Sequence, residues 1–116
     1  MHSLAERLFS SPFAKVVAIT DGSGVARVIR SRVDAVDPML ALGADATQAA
    51  IATFAQRQRF GALRQAVLVC EDATVVINAL YDGTTLVLVA DPESNLGLLL
   101  STCCVALTGN DGQQGG

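Results

Sequence analysis

The stretch that decides the fold is residues 37–60, which read DPMLALGADATQAAIATFAQRQRF. Asp37 followed by Pro38 predicts a helix start, because the aspartate accepts a hydrogen bond from an unpaired backbone N–H and proline fits the first helical turn. Gly61 is expected to end the helix near Phe60. The sequence therefore predicts one long, alanine-rich helix in the middle of the chain.

Segments rich in β-branched residues lie on both sides of this helix and predict five strands. Two strands precede it, at 14–20 and 25–32, joined by the turn Asp21-Gly-Ser-Gly24, whose glycines supply the positive φ angles of a hairpin loop. Three strands follow it as a meander, with turns at Glu71-Asp72 and Asp82-Gly83. These three strands are 63–70, 74–80 and 84–90.

Helices are also predicted at both ends of the chain. A capping box formed by Ser3 and Glu6 indicates a short first helix that ends at about Phe9. Asp91-Pro92 repeats the helix-start signal, so a last helix is expected from there to about residue 107.

The predicted element order is α-β-β-α-β-β-β-α over residues 1–108, followed by a disordered tail at 109–116. No linker is long enough to divide the chain into two domains. The predicted fold class is therefore α+β, a single domain with a five-stranded antiparallel sheet and helices on both faces.

Composition excludes several classes of protein. The chain has 116 residues, 51% hydrophobic and 16% charged, which excludes intrinsic disorder for most of it. The net charge of −3 argues against nucleic-acid binding. The uncharged apolar stretch at 96–108 is shorter than the roughly 20 residues of a membrane span, and no secretory signal is visible. We expect a cytoplasmic chain whose membrane attachment, if any, comes through a partner.

No constellation of residues for catalysis is visible in the sequence. The only histidine is His2, so a Ser-His-Asp or Cys-His centre lacks its base. The loop at 22–24 lacks the lysine of a phosphate-binding loop and precedes a strand. Three cysteines without Cys-x-x-Cys spacing are expected to be reduced and packed as small hydrophobes. Four aspartates are predicted to stabilise turns or helix starts and not to act in catalysis: Asp21, Asp37, Asp82 and Asp91. The chain is predicted to be a non-catalytic interaction module with no cofactor and no metal.

The long helix is predicted to be buried on two sides, because its apolar residues cover more than the stripe of a helix with one buried face. Met39 and Phe54 are assigned to the side that packs on the chain's own sheet. The alternative is one wide core face with alanine filling the surface. The side predicted to face a second subunit comprises Leu40, Ala44, Thr47, Ile51 and Ala55.

The strand at 63–70 is expected to have one edge without a partner inside the chain, because it begins the meander. An apolar free edge invites pairing with another chain. At the opposite edge, Arg27, Arg30 and Arg32 form the charge pattern that protects a free strand. The strand residues predicted at the dimer interface are Gln65, Ala66, Val67, Leu68 and Val69.

Several strings resemble the Roadblock/dynein light chain superfamily, whose domain is profilin-like. They are VVAITDGSGV at 16–25, ADPESNLGL at 90–98 and the alanine-rich helix between them, so the resemblance covers about residues 3–108. TFA at 53–55, AVLVC at 66–70 and the later Asn-Leu-Gly follow the order of the MAP-kinase scaffold branch, which belongs to the Ragulator complex.

The resemblance implies a non-catalytic subunit that pairs with another Roadblock-fold subunit through the long helix and the third strand, forming a platform for Ras-like small GTPases. In the Ragulator interpretation, a heterodimer supports Rag-type GTPases in nutrient, TOR and MAP-kinase signalling at late endosomes and lysosomes. Two alternatives stay open: a prokaryotic Roadblock homodimer that regulates or activates a small GTPase, and a dynein light chain. A stable homodimer of the purified chain would favour the prokaryotic alternative.

Overall fold

The computed structural model describes residues 2–80 and 82–115, with side chains at 4–80 and 82–107. The predicted order α-β-β-α-β-β-β-α is confirmed, and the predicted α+β fold class with it. The last helix was predicted to end at about residue 107, but α3 continues to Gly115 and takes in most of the segment 109–116 that was predicted as a tail. The disorder of that segment stays a prediction. The elements are α1 (His2–Phe9), β1 (Ala14–Thr20), β2 (Ala26–Ser31), α2 (Leu40–Arg57), β3 (Gln65–Val69), β4 (Thr74–Ala79), β5 (Thr85–Ala90) and α3 (Leu96–Gly115).

The five strands form one antiparallel sheet in the order β2-β1-β5-β4-β3. Helices α1 and α3 cover one face, where the main core lies, and α2 covers the other face. The α2 layer is thin because its own buried apolar residues are alanines. The main core includes Leu8, Ile19, Leu86, Leu88 and Leu99, and the α2 layer is built on Ala18, Ala44, Ile77 and Val87.

Helices α2 and α3 both begin later than predicted. The prediction that Asp37 caps α2 was wrong: the N-cap is Met39, which has no side-chain hydrogen bond, and Asp37 Oδ1 accepts the Met39 N–H at 2.8 Å in the turn ahead of the helix. The cap of α3 is Asn95, whose Oδ1 accepts the Leu98 N–H at 3.0 Å. Asp91, predicted as that start, lies in the preceding turn, where its carbonyl accepts a backbone bond.

The end of α2 is a Schellman motif at a residue that the sequence did not flag. The Phe60 N–H donates to the Ala55 carbonyl at 2.9 Å, the long-range bond of that motif. Arg59 has φ +61°, a left-handed conformation that usually favours glycine. The predicted stop at Gly61 is therefore two residues late. The rings of Phe54 and Phe60 pack edge to face with centroids 6.2 Å apart, the apolar contact that accompanies this motif.

Candidate interaction surface

A buried carboxylate decides which side of α2 faces the sheet. Asp45 is 6% exposed, and its Oδ1 accepts the Thr20 hydroxyl at 2.6 Å while its Oδ2 accepts the Gly24 N–H at 2.7 Å. A buried carboxylate without such donors would be strongly destabilising. Asp45 therefore fixes α2 against the end of β1 and the β1–β2 turn, and sets the rotation of the helix about its axis.

This rotation contradicts the sequence-based assignment of the two sides of α2 at four positions. Ala44 and Ala55, predicted to face a second subunit, are buried in the chain's own fold, where Ala44 packs against the sheet. Met39 and Phe54, assigned to the internal core, are 56% and 58% exposed. The assignment failed because it considered the apolar residues alone. Asp45 is polar, but its hydrogen bonds to Thr20 and Gly24 hold its side of the helix against the sheet. Half-buried positions between the two sides are Leu40, Thr47 and Ile51.

The side of α2 that faces away from the sheet is apolar and exposed. Met39, Leu42 and Phe54 lie on it, and Phe60 continues it beyond the helix end. Residues 46–56 contain no charged side chain. Contiguous apolar surface of this kind is rare on a monomer and is typical of a protein–protein contact.

Among the strands of residues 2–80 and 82–115, the edge strand β3 has its only hydrogen-bonded neighbour in β4, as predicted. The Arg64 carbonyl accepts the Ala79 N–H, and the Cys70 N–H donates to the Ala73 carbonyl, both at 2.9 Å. Because backbone groups alternate between the two edges of an antiparallel strand, even-numbered residues of β3 bond to β4. The outward-pointing N–H and C=O groups therefore belong to Gln65, Val67 and Val69.

The structure brings all five predicted strand residues to this one free edge. Ala66 and Leu68 pack toward the α2 layer, whereas Val67 packs against the core under α1 and α3. Val69 is 69% exposed. The Gln65 amide donates to Asn78 Oδ1 at 2.9 Å. The edge thus presents free backbone groups beside apolar side chains, the combination that strand pairing between chains uses.

Arg30 in β2 and Arg32, which directly follows β2, do more than protect this opposite edge of the sheet. Arg30 forms an ion pair with Glu6 of α1. Arg32 donates to the Phe9 and Ser11 carbonyls and stacks on the Phe9 ring, with its guanidinium carbon 4.2 Å from the ring centroid. These contacts fix α1 on the sheet, a role that charge patterning alone did not reveal.

Asp21 and Asp82 have the turn duties that the sequence predicted. Three donors lower the pKa of Asp21 by bonding to its Oδ1; in order of importance they are the Ser23 N–H, the Val25 N–H and the Ser23 hydroxyl. The hydroxyl and then the N–H of Thr84 lower the pKa of Asp82 in the same way. Both carboxylates are occupied by turn bonds.

The cysteines differ from one another in exposure. Cys103 is fully buried as expected, and burial, followed by the neighbouring Cys104, raises its pKa to about 11. Cys70 and Cys104 are exposed, so the prediction that all three pack as small hydrophobes was wrong for these two.

Within the described residues, no group of His, Cys, Asp and Glu side chains could hold a metal ion. Nor is any described helix both long and apolar enough to cross a membrane.

Solved structures of bacterial Roadblock domains share this fold. The Roadblock/LC7 domain from Streptomyces avermitilis superposes with a TM-score of 0.77 at 14% identity, covering 100% of this chain and 95% of that one. Myxococcus xanthus MglB gives 0.76 at 19% identity, covering 90% and 83%. The gliding protein MglB from Thermus thermophilus gives 0.72 at 21% identity, covering 91% and 83%. The sequence matches no family model and no curated protein.

Proposed function

We propose that this chain is a non-catalytic, prokaryotic-type Roadblock subunit that forms a homodimer and, as a dimer, regulates a Ras-like small GTPase. The observation that carries the proposal is the free apolar edge of β3 next to the exposed apolar side of α2. The link to a GTPase comes from the superfamily resemblance of the sequence, and the fold shared with bacterial Roadblock/LC7 and MglB structures supports it.

Symmetric pairing of two β3 edges follows from the outward backbone groups. In an antiparallel pair about a two-fold axis, Val67 lies opposite Val67 of the partner subunit, and Gln65 lies opposite Val69 of the partner subunit. This register pairs every outward-pointing residue of the strand. The two sheets then continue into one, with α2 of each protomer on the same face.

The edge strands alone supply too little contact for a stable dimer. Specific interfaces bury about 1,200–2,000 Å² in total, and β3 has only five residues. The exposed apolar side of α2 is the neighbouring surface that can contribute the remainder. We therefore include Met39, Leu42 and Phe54 in the proposed interface, together with the β3 edge. Leu40, Thr47 and Ile51 lie at its margin, and Ala44 and Ala55 lie beneath it.

The prokaryotic interpretation replaces the Ragulator one. The solved structures described above come from bacteria, and none of them links this chain to TOR or MAP-kinase signalling, to late endosomes or lysosomes, or to dynein. Any membrane attachment through a partner stays a prediction, as does the absence of nucleic-acid binding.

Two measurements test the proposal. Size-exclusion chromatography with light scattering is expected to give twice the 12.0 kDa chain mass for the purified protein. Phe54→Asp is expected to yield a monomer with unchanged helical signal, and Arg27→Glu, which adds a carboxylate at an exposed position of β2 on the far edge of the sheet, serves as the control. Ras-like GTPases from the source organism, loaded with GTP or GDP, are then tested for binding and for a changed hydrolysis rate. A stable monomer with no effect on any of them contradicts the proposal.

A further inference from the structure

Arg64, like Arg57 and Arg59, has no ion pair with any side chain that the structure describes, in contrast to Lys15 and Arg30. Lys15 Nζ lies 2.8 Å from Asp91 Oδ1, and Arg30 pairs with Glu6. Arg64 is exposed, and within residues 4–80 and 82–107 its side chain has no hydrogen bond or ion pair. It immediately precedes β3, at the start of the free edge.

Two acidic side chains lie at the other end of the same strand. Glu71 and Asp72 form the loop between β3 and β4, which the bond from the Cys70 N–H to the Ala73 carbonyl closes. Both are exposed, and neither has an ion-pair partner in the described part of the chain. The free edge is therefore positive at its beginning and negative just after its end.

This arrangement is complementary to itself when a second copy approaches in the antiparallel direction. The beginning of one β3 then meets the end of the other. In the register centred on Val67, Arg64 lies opposite Cys70 of the partner subunit, and the partner subunit's Glu71 is the next residue along. From the strand spacing and rise, the Cα atoms of Arg64 and the partner's Glu71 are about 6 Å apart. Successive side chains of a strand point to opposite faces, but Glu71 and Asp72 lie in the loop beyond β3, and the long arginine side chain can reach that loop around the end of the strand.

We infer that Arg64 and the Glu71-Asp72 loop form a reciprocal charge clamp across the two-fold axis, binding a second copy of this chain and holding its β3 in register. The inference rests on the homodimer proposed above and adds its electrostatic determinant. A slip of two residues that sets Arg64 opposite Leu68 of the partner subunit takes the guanidinium away from both carboxylates. The clamp therefore disfavours that slip.

The surrounding charge distribution supports a second copy as the occupant of this edge. Residues 46–70 carry Arg57, Arg59 and Arg64 and no acidic residue, although the net charge of the chain is −3. Two copies that met at random would repel each other. The antiparallel approach instead places the basic segment of each copy against the acidic loop of the other, so electrostatics favour this one orientation.

A charge-swap cycle tests the clamp, with the dimer Kd measured by sedimentation equilibrium. Arg64→Glu and Glu71→Arg are each expected to weaken the dimer about tenfold, since each removes two symmetry-related exposed ion pairs and adds like-charge contacts. The double variant is expected to return to within about threefold of the original Kd. Arg27→Glu makes the same charge change in β2, at the far edge of the sheet, and is expected to leave the Kd unchanged.

Salt and folding controls make the outcome unambiguous. Raising the salt from about 50 mM to about 500 mM is expected to weaken the original dimer and the double variant alike. Circular dichroism confirms that each variant is folded. Single variants that dimerise like the original chain, or a double variant no better than the singles, overturn the clamp while the homodimer stands. A chain that is monomeric at every concentration overturns the proposed homodimer itself, and the clamp with it.

Discussion

The free edge of β3 predicts opposite outcomes for proline at two adjacent positions. The Val67 N–H points away from β4, so Val67→Pro removes no hydrogen bond from the isolated chain. The Leu68 N–H points toward β4, where Leu68 lies opposite Val75, so Leu68→Pro removes a bond of the ladder. Both variants place a proline ring in the same strand, which makes Leu68→Pro the matched control.

The expected magnitudes separate the two variants. Leu68→Pro loses one ladder bond, about 0.5–1.5 kcal/mol, and leaves a carbonyl without its donor at a further cost of about 1–3 kcal/mol. Val67→Pro loses part of the packing of a half-buried valine, about 1 kcal/mol. In the dimer, however, Val67→Pro removes both symmetry-related bonds at the two-fold axis, about 1–3 kcal/mol together. We expect its dimer Kd to rise about tenfold or more.

Two assays read these quantities separately. Sedimentation equilibrium measures the dimer Kd, and urea unfolding followed by circular dichroism measures the free energy of unfolding at a protein concentration below that Kd. Val67→Pro is expected to dissociate and keep its helical signal, whereas Leu68→Pro unfolds at lower urea. The reasoning is refuted if Val67→Pro dimerises with an unchanged Kd, or if it unfolds as readily as Leu68→Pro.

Four further predictions concern stability. Asp45→Ala leaves two inward donors without their acceptor and is expected to cost about 2–4 kcal/mol in urea unfolding, whereas Asp45→Asn, which keeps an acceptor, is expected to cost less. Arg59→Gly removes the cost of holding an arginine in the left-handed conformation and is expected to raise the free energy of unfolding by about 0.5–1 kcal/mol. A loss of stability would contradict the inferred backbone strain at this position. The lowered pKa of Asp21 means that its turn bonds stabilise the fold at neutral pH and are lost as the pH falls below about 4. Asp21→Asn should therefore make the free energy of unfolding depend less on pH in the acidic range. Deleting residues 109–116 is expected to leave the melting temperature unchanged, because that segment has no apolar side chain to bury.

Much of the fold was predictable because local signals agree with one another. β1 was predicted with its observed bounds, Ala14–Thr20, since a run of β-branched residues is followed by glycines that take φ +87° and +103° at Gly22 and Gly24. The meander and its open edge followed from short turns between apolar runs. These features depend on backbone preferences over a few residues, which a single sequence displays directly.

The sequence by itself determined the element order and the free edge of β3. Only the tertiary structure decided the rotation of α2, because alanines all round a helix give its periodicity little contrast and the deciding bonds join Asp45 to Thr20 and Gly24, far earlier in the chain. It also decided that the Val67 N–H points outward, since this direction depends on the register with β4. Both features come from contacts between distant segments, and such contacts leave no periodic signal in the residues that make them.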